Sequence, residues 1–578
     1  MTGLIGLISA TAAGAAARDR LAAAWPDRTR VYDGPVRDAV RRAFGECEQL
    51  VCFLATGAVV RLVAPLLGGK ASDPGVVCVD EGGRFAVSLV GGHAGGANEL
   101  AREVGEVLGA EPVVTTATDA VGVPGLDTLG LPVEGDVAGV TRALLDGEPV
   151  ALEAEVPWPL PALPVTDGRD EAEEGASGDE GDYVIRLTDR AVEPAEREVV
   201  LRPPSLVVGV GASKGAPVDE VLGLVEGALR DAGLSVRSVA EVATVDAKAG
   251  EPGIVGAAER LGVPVVTYTA EELAEVTVPN PSDAPLAAVG TPSVAEAAAL
   301  VRGGELLVPK RKSERADGRP AMATCAVVRR PARGRLAVVG LGPGARDLLT
   351  PRARAELRRA AVLVGLDQYV DQIRDLLRPG TRVLQSGLGA EEERARTAVA
   401  EARRGQAVAL IGSGDAGVYA MASPALAEAS DDIDVVGVPG VTAALAAGAI
   451  LGAPLGHDHV SISLSDLHTP WEVIERRVRA AAEADLVVTF YNPRSRGRDW
   501  QLPKALAILA GHREPTTPVG VVRNASRADE SSRLTDLESL DLATVDMMTV
   551  VTVGNTATRE IAGRMVTPRG YRWQERDR

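Results

Sequence analysis

The sequence has 578 residues, too many for one hydrophobic core, and at about 150 residues per domain it predicts about four domains. Its formal net charge is −19, and no Lys/Arg-rich run is present. Because nucleic-acid binding needs a basic face that displaces counterions, we exclude nucleic acid as a partner. A local basic patch for an anionic small molecule stays compatible with this charge.

Cysteine spacing and apolar segments exclude further classes of protein. None of the four cysteines forms a C-x-x-C pair, so we predict neither a disulfide framework nor a metal site. The N-terminal stretch lacks a basic region and predicts a strand and a helix rather than a signal peptide. Residues 435–456 are uncharged but contain Pro439 and Pro454, which predicts a buried loop–helix–loop instead of a membrane span. We expect a cytoplasmic protein without membrane contact.

Strands and helices alternate along the whole chain, which predicts a multidomain α/β protein with parallel sheets covered by helices. Residues 166–182 hold eight acidic residues and predict a disordered or looped insertion. A Pro/Gly/Arg-rich linker follows at 329–335. The expected divisions are an N-terminal α/β domain at 1–131, a variable middle segment at 132–203, a second α/β domain at 204–330, and a last region at 334–575 that is large enough for two lobes.

In the N-terminal domain, polar residues follow the predicted strands. Asp80 and Glu81 come directly after an apolar strand, His93 lies in a glycine-rich loop after the next one, and Asp119 ends a Thr-rich run. Ligands bind at strand ends in α/β sheets, so we interpret these residues as one candidate site. His93 is a candidate general base, with a turn or helix-cap histidine as the structural alternative.

The second α/β domain contains a strand at 206–210 followed by Gly-Ala-Ser-Lys-Gly, which fits G-x-S-x-G. A nucleophile elbow needs a later histidine in the same domain, and none lies between Ser213 and the linker. A triad would therefore require His93 from the other domain. We favour an anion-binding turn in which Ser213 and Lys214 hold a substrate carboxylate.

Several of these motifs resemble the cobalt-precorrin-5A hydrolase family over about 1–130 and 204–328: Gly-His-x-Gly-Gly-Ala-Asn-Glu at 92–99, Thr-Thr-Ala-Thr-Asp at 115–119, and Thr-Val-Asp-x-Lys at 244–248. The resemblance implies opening of a δ-lactone with release of acetaldehyde, which requires an activated water and a stabilised oxyanion. The catalytic candidates are His93, Asp80, Glu81 and Asp119. The candidate substrate contacts are Ser213, Lys214, Asp246 and Lys248.

The last region places glycine-rich turns after three predicted strands, at 340–344, 412–419 and 439–442. Thr350-Pro351 predicts a helix start, as N-cap and first helical residue. One such turn is a weak signal because it is not the G-x-G-x-x-G pattern. Three of them in one region favour a shared ligand cleft.

Together with Ser-Leu-Ser-Asp at 463–466, Tyr-Asn-Pro-Arg-Ser at 491–495 and Thr-Pro-Arg-Gly-Tyr at 567–571, these turns are similar to the tetrapyrrole methylase family, in particular its precorrin-3B C17-methyltransferase branch. The resemblance implies a two-lobed α/β enzyme with S-adenosylmethionine between the lobes. Gly412 departs from the family, which usually has Ser there. The implied cofactor contacts are Gly340, Gly342, Pro343, Gly344, Gly414, Asp415, Val418, Tyr419, Pro439, Gly440, Val441, Thr442, Ala443, Tyr491, Asn492 and Pro493.

The reaction that the resemblance implies is attack of a macrocycle carbon on the sulfonium methyl, so catalysis is mostly alignment. Arg494 and Arg569, and after them Arg496 and Arg498, are candidates to pair with carboxylate arms of an anionic (cobalt-)precorrin, with solvated surface arginines as the alternative. Ring contraction also needs proton movement. The candidates for it, or for contact with a central cobalt, are Asp466 and His457, with Asp458 and His459. Loop histidines without a chemical role are the alternative.

Both resemblances fit one pathway, because ring contraction creates the lactone that the hydrolase later opens. A cobalt-bearing and a metal-free substrate both stay open. In a second interpretation only the methylase is active and the N-terminal half is a docking or regulatory domain; a non-enzymatic tetrapyrrole scaffold is a third. We expect a homodimer through the methylase region.

Overall fold

The computed structural model describes residues 3–69, 72–167, 183–282, 291, 293–314, 320–495 and 497–570. The chain divides into two compact units, one mostly up to Ala332 and the other mostly from Arg333 onward. Most of the acidic insertion expected at 166–182 lies outside the described residues, as does the side chain of Asp119. Among the helices of the described residues, none has the length and apolar character to cross a membrane.

The first sheet of unit one has six strands in the order β2-β1-β3-β4-β5-β6. They are β1 (Ile5–Ser9), β2 (Thr29–Val31), β3 (Gln49–Phe53), β4 (Gly75–Val79), β5 (Phe85–Val90) and β6 (Glu111–Val113). All neighbours are parallel except β4 and β5. Therefore β5 and β6 end at the edge where β4 begins. The helices are Ala12–Ala24, Val36–Glu46, Thr56–Val63, Ala97–Leu108 and Ala117–Val121.

The segment expected to be variable, 132–203, contains a five-stranded sheet in the order β7-β11-β10-β8-β9 and the helix Val137–Asp146. Its strands are β7 (Val133–Gly135), β8 (Val150–Ala154), β9 (Thr166–Asp167), β10 (Tyr183–Leu187) and β11 (Glu198–Leu201). The Arg186 guanidinium on β10 donates to the Glu198 carboxylate on β11 at 2.5 Å. This ion pair lets the buried Glu198 occupy a short strand.

The third sheet has the order β14-β13-β12-β16-β15. Its strands are β12 (Leu206–Ala212), β13 (Val239–Val245), β14 (Val265–Tyr268), β15 (Glu305–Lys312) and β16 (Ala323–Arg329). Since β16 alone is antiparallel to its neighbours, the other four strands end at one edge. The helices are Val218–Asp231, Pro252–Leu261, Ala270–Ala274 and Ala295–Leu300. The predicted strand after 205 is confirmed, but the next helix begins only at Val218, so Ser213 does not lie on a sharp strand-to-helix elbow.

Unit two contains an all-parallel sheet in the order β19-β18-β20-β17-β21. Its strands are β17 (Arg335–Gly340), β18 (Val362–Leu366), β19 (Arg382–Ser386), β20 (Ala407–Gly412) and β21 (Asp434–Val438), and its helices are Pro351–Arg359, Asp367–Ile373, Glu391–Arg403 and Ala422–Glu428. The predicted helix start is confirmed, because the Thr350 hydroxyl accepts a hydrogen bond from the Ala353 N–H at 3.1 Å.

The rest of unit two forms a mixed sheet, β23-β24-β27-β25-β26, and a small sheet, β22-β29-β28. Their strands are β22 (Gly452–Ala453), β23 (His459–Ser463), β24 (Val487–Tyr491), β25 (Pro518–Arg523), β26 (Ser531–Asp536), β27 (Thr549–Val553), β28 (Arg559–Ile561) and β29 (Arg564–Val566). The helices are Ala443–Leu451, Trp471–Glu483 and Gln501–Ala510. The first of these confirms the predicted loop–helix–loop. Because β27 is antiparallel to β24 and β25, the strands β23, β24 and β25 all end at one edge.

Candidate functional site

Three glycine-bearing strand ends of the parallel sheet meet in unit two. The Gly342 N–H donates to the Gly414 carbonyl at 3.0 Å, and the Gly414 N–H donates to the Gly342 carbonyl at 2.8 Å. A Cβ on Gly440 would lie 2.2 Å from the same Gly414 carbonyl oxygen. Only glycine permits such close backbone packing. The turns after β17, β20 and β21 therefore form one continuous edge, defined by residues 340–344, 412–419 and 439–443 and called the glycine edge below.

Asp415 ties two of these turns together. One carboxylate oxygen accepts the Gly417 N–H at 2.8 Å, and the other accepts the Gly440 N–H at 3.0 Å. Each oxygen has another lone pair available to a ligand. Asp415 is thus a residue that organises the glycine edge, whether or not it contacts a ligand directly.

Tyr491 joins the mixed sheet to the glycine edge. Its hydroxyl accepts the Ala444 N–H at 2.8 Å and lies 2.6 Å from the Thr442 hydroxyl. It thereby caps the helix Ala443–Leu451, whose N-cap residue Thr442 makes no side-chain cap bond of its own. The Tyr419 and Tyr491 ring centroids are 5.2 Å apart, and burial raises the pKa of both phenols.

Strained backbone accumulates at the same place. Tyr419, Asn492, Asn524 and Ser526 have φ angles of 52°, 50°, 52° and 60°, in the left-handed region that disfavours side chains. They lie in the loops after β20, β24 and β25, and the Asn492 amide donates to the Ser463 hydroxyl at 3.1 Å. Such strain concentrates at ligand sites. Sequence analysis missed the loop 524–530, although its position after an apolar strand was an available signal.

The predicted arginines differ in their hydrogen-bond partners. Arg498 donates to the Leu464 and Asn492 carbonyls at 3.0 and 2.6 Å, and burial lowers its pKa. It braces the loops after β23 and β24. Arg494 donates to the Leu542 carbonyl at 3.0 Å and lines a cavity of about 290 Å³. Asp466 accepts the side-chain amide of Gln501 at 3.0 Å. Arg496 lies outside the described residues.

The structure separates His457 and Arg569 from this group, which corrects the expectation of a single macrocycle site. Both line another cavity, of about 390 Å³, that also includes Asp458 and Asp485. It lies where β23 and β24 begin, whereas Tyr491 ends β24. At about 3.3 Å per residue, five-residue strands place the two edges about 15 Å apart. His459 begins β23 and belongs with His457, whose carbonyl lies 3.1 Å from the His459 ring nitrogen. In the described part of the chain, no three His, Cys, Asp or Glu residues form a metal-binding group.

The first sheet of unit one also divides its predicted site. Asp80 accepts the N–H groups of Arg84 and Phe85, both at 2.7 Å, and closes the turn from β4 to β5. Burial opposes ionisation there, but these hydrogen bonds hold the pKa of Asp80 below its usual value. Glu81 lies in the same turn. Since β5 is antiparallel to β4, this turn and His93 lie at opposite edges of the sheet, so Asp80 and Glu81 do not share a site with His93.

His93 instead belongs to a polar cluster at the edge where β5 and β6 end. Its Nε2 lies 2.7 Å from the Thr118 hydroxyl. The Asn98 amide donates to the Thr116 hydroxyl at 3.0 Å and accepts from the Ser88 hydroxyl at 2.7 Å. The Thr-rich run and the glycine loop are thus brought together, as the strand-end argument predicts for these two segments.

Lysines concentrate at the carboxyl edge of the third sheet. The sequence has only six lysines among 61 basic residues, and four follow or end β12, β13 and β15. They are Lys214, Lys248, Lys310 and Lys312. We call this the lysine edge.

The turn expected to bind an anion at this edge already has an internal partner. The Gly215 N–H donates to the Glu251 carboxylate at 2.6 Å, and the Lys248 ammonium lies 3.5 Å from that carboxylate. The Ser213 N–H donates to the Met322 carbonyl, and Asp246 accepts the Ala247 N–H. A substrate carboxylate would therefore meet side chains here, chiefly the exposed Lys214, rather than the Gly215 amide.

Unit two, with glycine-bearing ends of a parallel sheet beside the loops of a mixed sheet, has the architecture of a two-lobed α/β methyltransferase. The family model for Tetrapyrrole (Corrin/Porphyrin) Methylases matches residues 335–541. In unit one, the models for the Cobalamin synthesis G C-terminus and N-terminal regions match residues 206–328 and 38–119. The chain belongs to the tetrapyrrole methylases and joins a methyltransferase of cobalamin biosynthesis to a cobalamin-synthesis-G-like region. The fold and the recognition made from the motifs are confirmed.

Several curated relatives match the methylase part. The chain is 46% identical to the probable cobalt-factor III C(17)-methyltransferase of Salmonella typhimurium over 41% of this chain and 99% of that protein. It is 41% identical to the precorrin-3B C(17)-methyltransferase of Sinorhizobium sp over 97% of that protein. It covers 45% of the cobalt-factor III methyltransferase of Priestia megaterium, at 42% identity.

Among solved structures, the methyltransferase CobJ has 38% identity and a TM-score of 0.39, with 41% of this chain and all of that chain covered. A putative cobalamin biosynthesis protein G homolog from Sulfolobus solfataricus has 21% identity and a TM-score of 0.24, with 56% and 96% covered.

Proposed function

We propose that unit two transfers the methyl group of S-adenosylmethionine to C17 of precorrin-3B or cobalt-factor III and contracts the ring to (cobalt-)precorrin-4. The observation that carries this proposal is the convergence of the glycine edge, Tyr491 and the loop 524–530. The names of the relatives support this substrate class, and a polyanionic macrocycle fits the arginines near the loop after β24.

The residues at the glycine edge fit such a methyl donor. Its adenosyl and amino-acid parts need backbone hydrogen bonds, and the close-packed turns present peptide groups that no Cβ covers. At Gly412, a Cβ would meet only the Ala420 methyl, at 3.6 Å, so the position where the family usually has Ser is open. The Tyr419 and Tyr491 rings and the Asp415 carboxylate suit a sulfonium cation.

The donor, when bound, supplies an electrophilic methyl group. The chain then contributes alignment, which is the main requirement of an in-line displacement. Arg494 binds a carboxylate arm of the macrocycle, and Arg498 holds the neighbouring loops in place. Asp466, oriented by Gln501, is the candidate for proton movement during ring contraction. We also expect this unit to form a homodimer, which light scattering of the full chain tests.

For unit one we propose opening of the cobalt-precorrin-5A lactone with release of acetaldehyde. Both cobalamin-synthesis-G family models support this proposal. His93, beside Thr118, is positioned to take a proton from the attacking water. The lysine edge supplies cations for the carboxylate arms of the macrocycle. A docking role for unit one is the second candidate, since the Gly215 amide is already bonded to Glu251.

Purified full-length protein tests both proposals in separate reactions. With S-adenosylmethionine and cobalt-factor III or precorrin-3B, mass spectrometry should find a product with one added methyl group. With cobalt-precorrin-5A, an aldehyde assay should detect acetaldehyde. If neither substrate gains a methyl group, the first proposal is overturned. Methyl gain without acetaldehyde would favour the docking role for unit one.

A further inference from the structure

Arg527, which follows β25, reaches from the loop of the mixed sheet to the glycine edge. Its Nε donates to the Pro343 carbonyl at 3.0 Å, and one Nη donates to the Ser413 hydroxyl at 3.4 Å. The alkyl part of the side chain lies over Gly344, where a Cβ would be only 2.6 Å from the Arg527 Cγ. Glycine at 344 is thus a condition for this path of the arginine.

The loop holds Arg527 firmly. Its N–H donates to the Asn524 carbonyl at 2.9 Å, and the Asn524 amide donates to the Asp529 carboxylate at 2.6 Å. The Ser526 N–H donates to the Glu530 carboxylate at 2.7 Å. Two left-handed residues, Asn524 and Ser526, complete a loop whose strain is stabilised by these bonds. The position of the guanidinium is therefore set before any ligand binds.

The charge of Arg527 has no carboxylate partner in the part of the chain that the structure describes. The nearby Arg523, in contrast, pairs with Asp546 at 2.8 Å and with Asp529 at 3.4 Å. Arg527 is half-buried, and its two acceptors are neutral oxygens. A guanidinium has five N–H donors, so most of them stay available. A partly desolvated, preorganised arginine of this kind is suited to bind an anion with a planar, bidentate geometry.

We propose that Arg527 binds a carboxylate of the ligand held at the glycine edge. This inference rests on the proposed methyl transfer and identifies a specificity residue for it. Two carboxylates have the required chemistry: the amino-acid carboxylate of the methyl donor and an acetate or propionate arm of the macrocycle. Either one would neutralise the guanidinium and would bind across the junction of the two lobes.

The test compares Arg527→Gln and Arg527→Lys with wild type, using calorimetry of S-adenosylhomocysteine and of 5′-methylthioadenosine, which lacks the amino-acid carboxylate. If the donor supplies the carboxylate, Arg527→Gln weakens S-adenosylhomocysteine about ten- to hundredfold and leaves methylthioadenosine unchanged. If the macrocycle supplies it, affinity for S-adenosylhomocysteine is unchanged and KM for cobalt-factor III rises by a similar factor. Arg527→Lys keeps the positive charge but loses the bidentate guanidinium, so its affinity or KM should lie between those of wild type and Arg527→Gln.

Arg533→Gln is the control, since that exposed guanidinium on β26 donates to the Thr544 hydroxyl at 3.0 Å and its loss should alter neither affinity nor KM. Unchanged affinities and KM in Arg527→Gln, or a change in thermal stability alone, would overturn the inference. If wild-type protein fails to bind S-adenosylhomocysteine, the proposed methyl transfer itself fails, and that result is distinguishable from failure of the Arg527 proposal.

Discussion

Replacing Asp415 should weaken binding of the methyl donor because the glycine edge loses the hydrogen bonds that join two of its turns. The carboxylate accepts two backbone N–H groups, at 2.8 and 3.0 Å. A hydrogen bond to a charged group contributes about 1.5–3 kcal/mol, and the partial exposure of Asp415 favours the lower part of that range. Asp415→Ala removes both bonds. At about 1.5–2 kcal/mol for each bond the total is about 3–4 kcal/mol. If half of that energy is lost from ligand binding because the turns become disordered, affinity falls by about 1.5–2 kcal/mol, or roughly ten- to thirtyfold.

Calorimetry of the full chain with S-adenosylhomocysteine measures this loss, and a thermal melt run in parallel shows whether the fold persists. Asp434→Ala is the matched control, because Asp434 pairs with Arg333 at the opposite edge of the same sheet. That variant should bind as wild type does. A well-folded Asp415→Ala protein with unchanged affinity would remove Asp415 from the site and refute the reasoning.

The contacts of Tyr491, His93, Arg498 and Arg494 each predict a measurable effect. Because burial raises the pKa of Tyr491, its phenol stays protonated past the ordinary value of about 10. The stability linked to the protonated phenol is present below that pH and is lost as pH rises through the raised pKa. The difference between ultraviolet titrations of wild type and Tyr491→Phe should show ionisation above pH 10, and ionisation at or below pH 10 would contradict the prediction. His93→Ala should abolish acetaldehyde release and spare methylation, whereas retained release would return His93 to a structural role. Arg498→Ala should lower the free energy of unfolding by about 1–3 kcal/mol, because two carbonyls lose their donor. Arg494→Gln should raise KM for the macrocycle with a smaller loss of stability, because one carbonyl loses its donor. Denaturant unfolding and kinetics test both variants, and the reverse pattern would be inconsistent with the assigned roles.

The meeting of the three glycine turns was predictable because it needs only local signals. Apolar strands ending in glycine, separated by helices, must form a parallel sheet, and parallel strands end at one edge. The helix start at Thr350 was predictable for the same reason, since an N-cap followed by proline acts within one turn. The sequence order of these elements therefore determined the glycine edge.

Strand direction explains the sites that sequence analysis grouped incorrectly. Only a short turn around Asp80 joins β4 to β5, and such a connection permits only antiparallel pairing, so His93 had to lie at the other edge. In the same way, His457 precedes β23 while Asp466 follows it. The short connection between β4 and β5 and the order of His457, β23 and Asp466 are both visible in the sequence. The sequence analysis did not use them because it did not distinguish the two ends of a strand.

Other features depend on long-range contacts that no local pattern reports. The middle segment forms a sheet that includes the short strands β7 and β9, and its Arg186–Glu198 pair joins residues of neighbouring strands. Arg527 reaches the glycine edge from a loop more than a hundred residues later in the chain. In the same way, the G-x-S-x-G pattern could not predict that the Gly215 amide is hydrogen-bonded to Glu251.

The most direct test of the central claim, that the methyl donor binds at the glycine edge, is a crystal structure of the full chain grown with S-adenosylhomocysteine. We predict ligand density against residues 340–344, 412–419 and 439–443, beside Tyr491. Density only in the cavity lined by His457 and Arg569, or none at saturating ligand, would contradict the account.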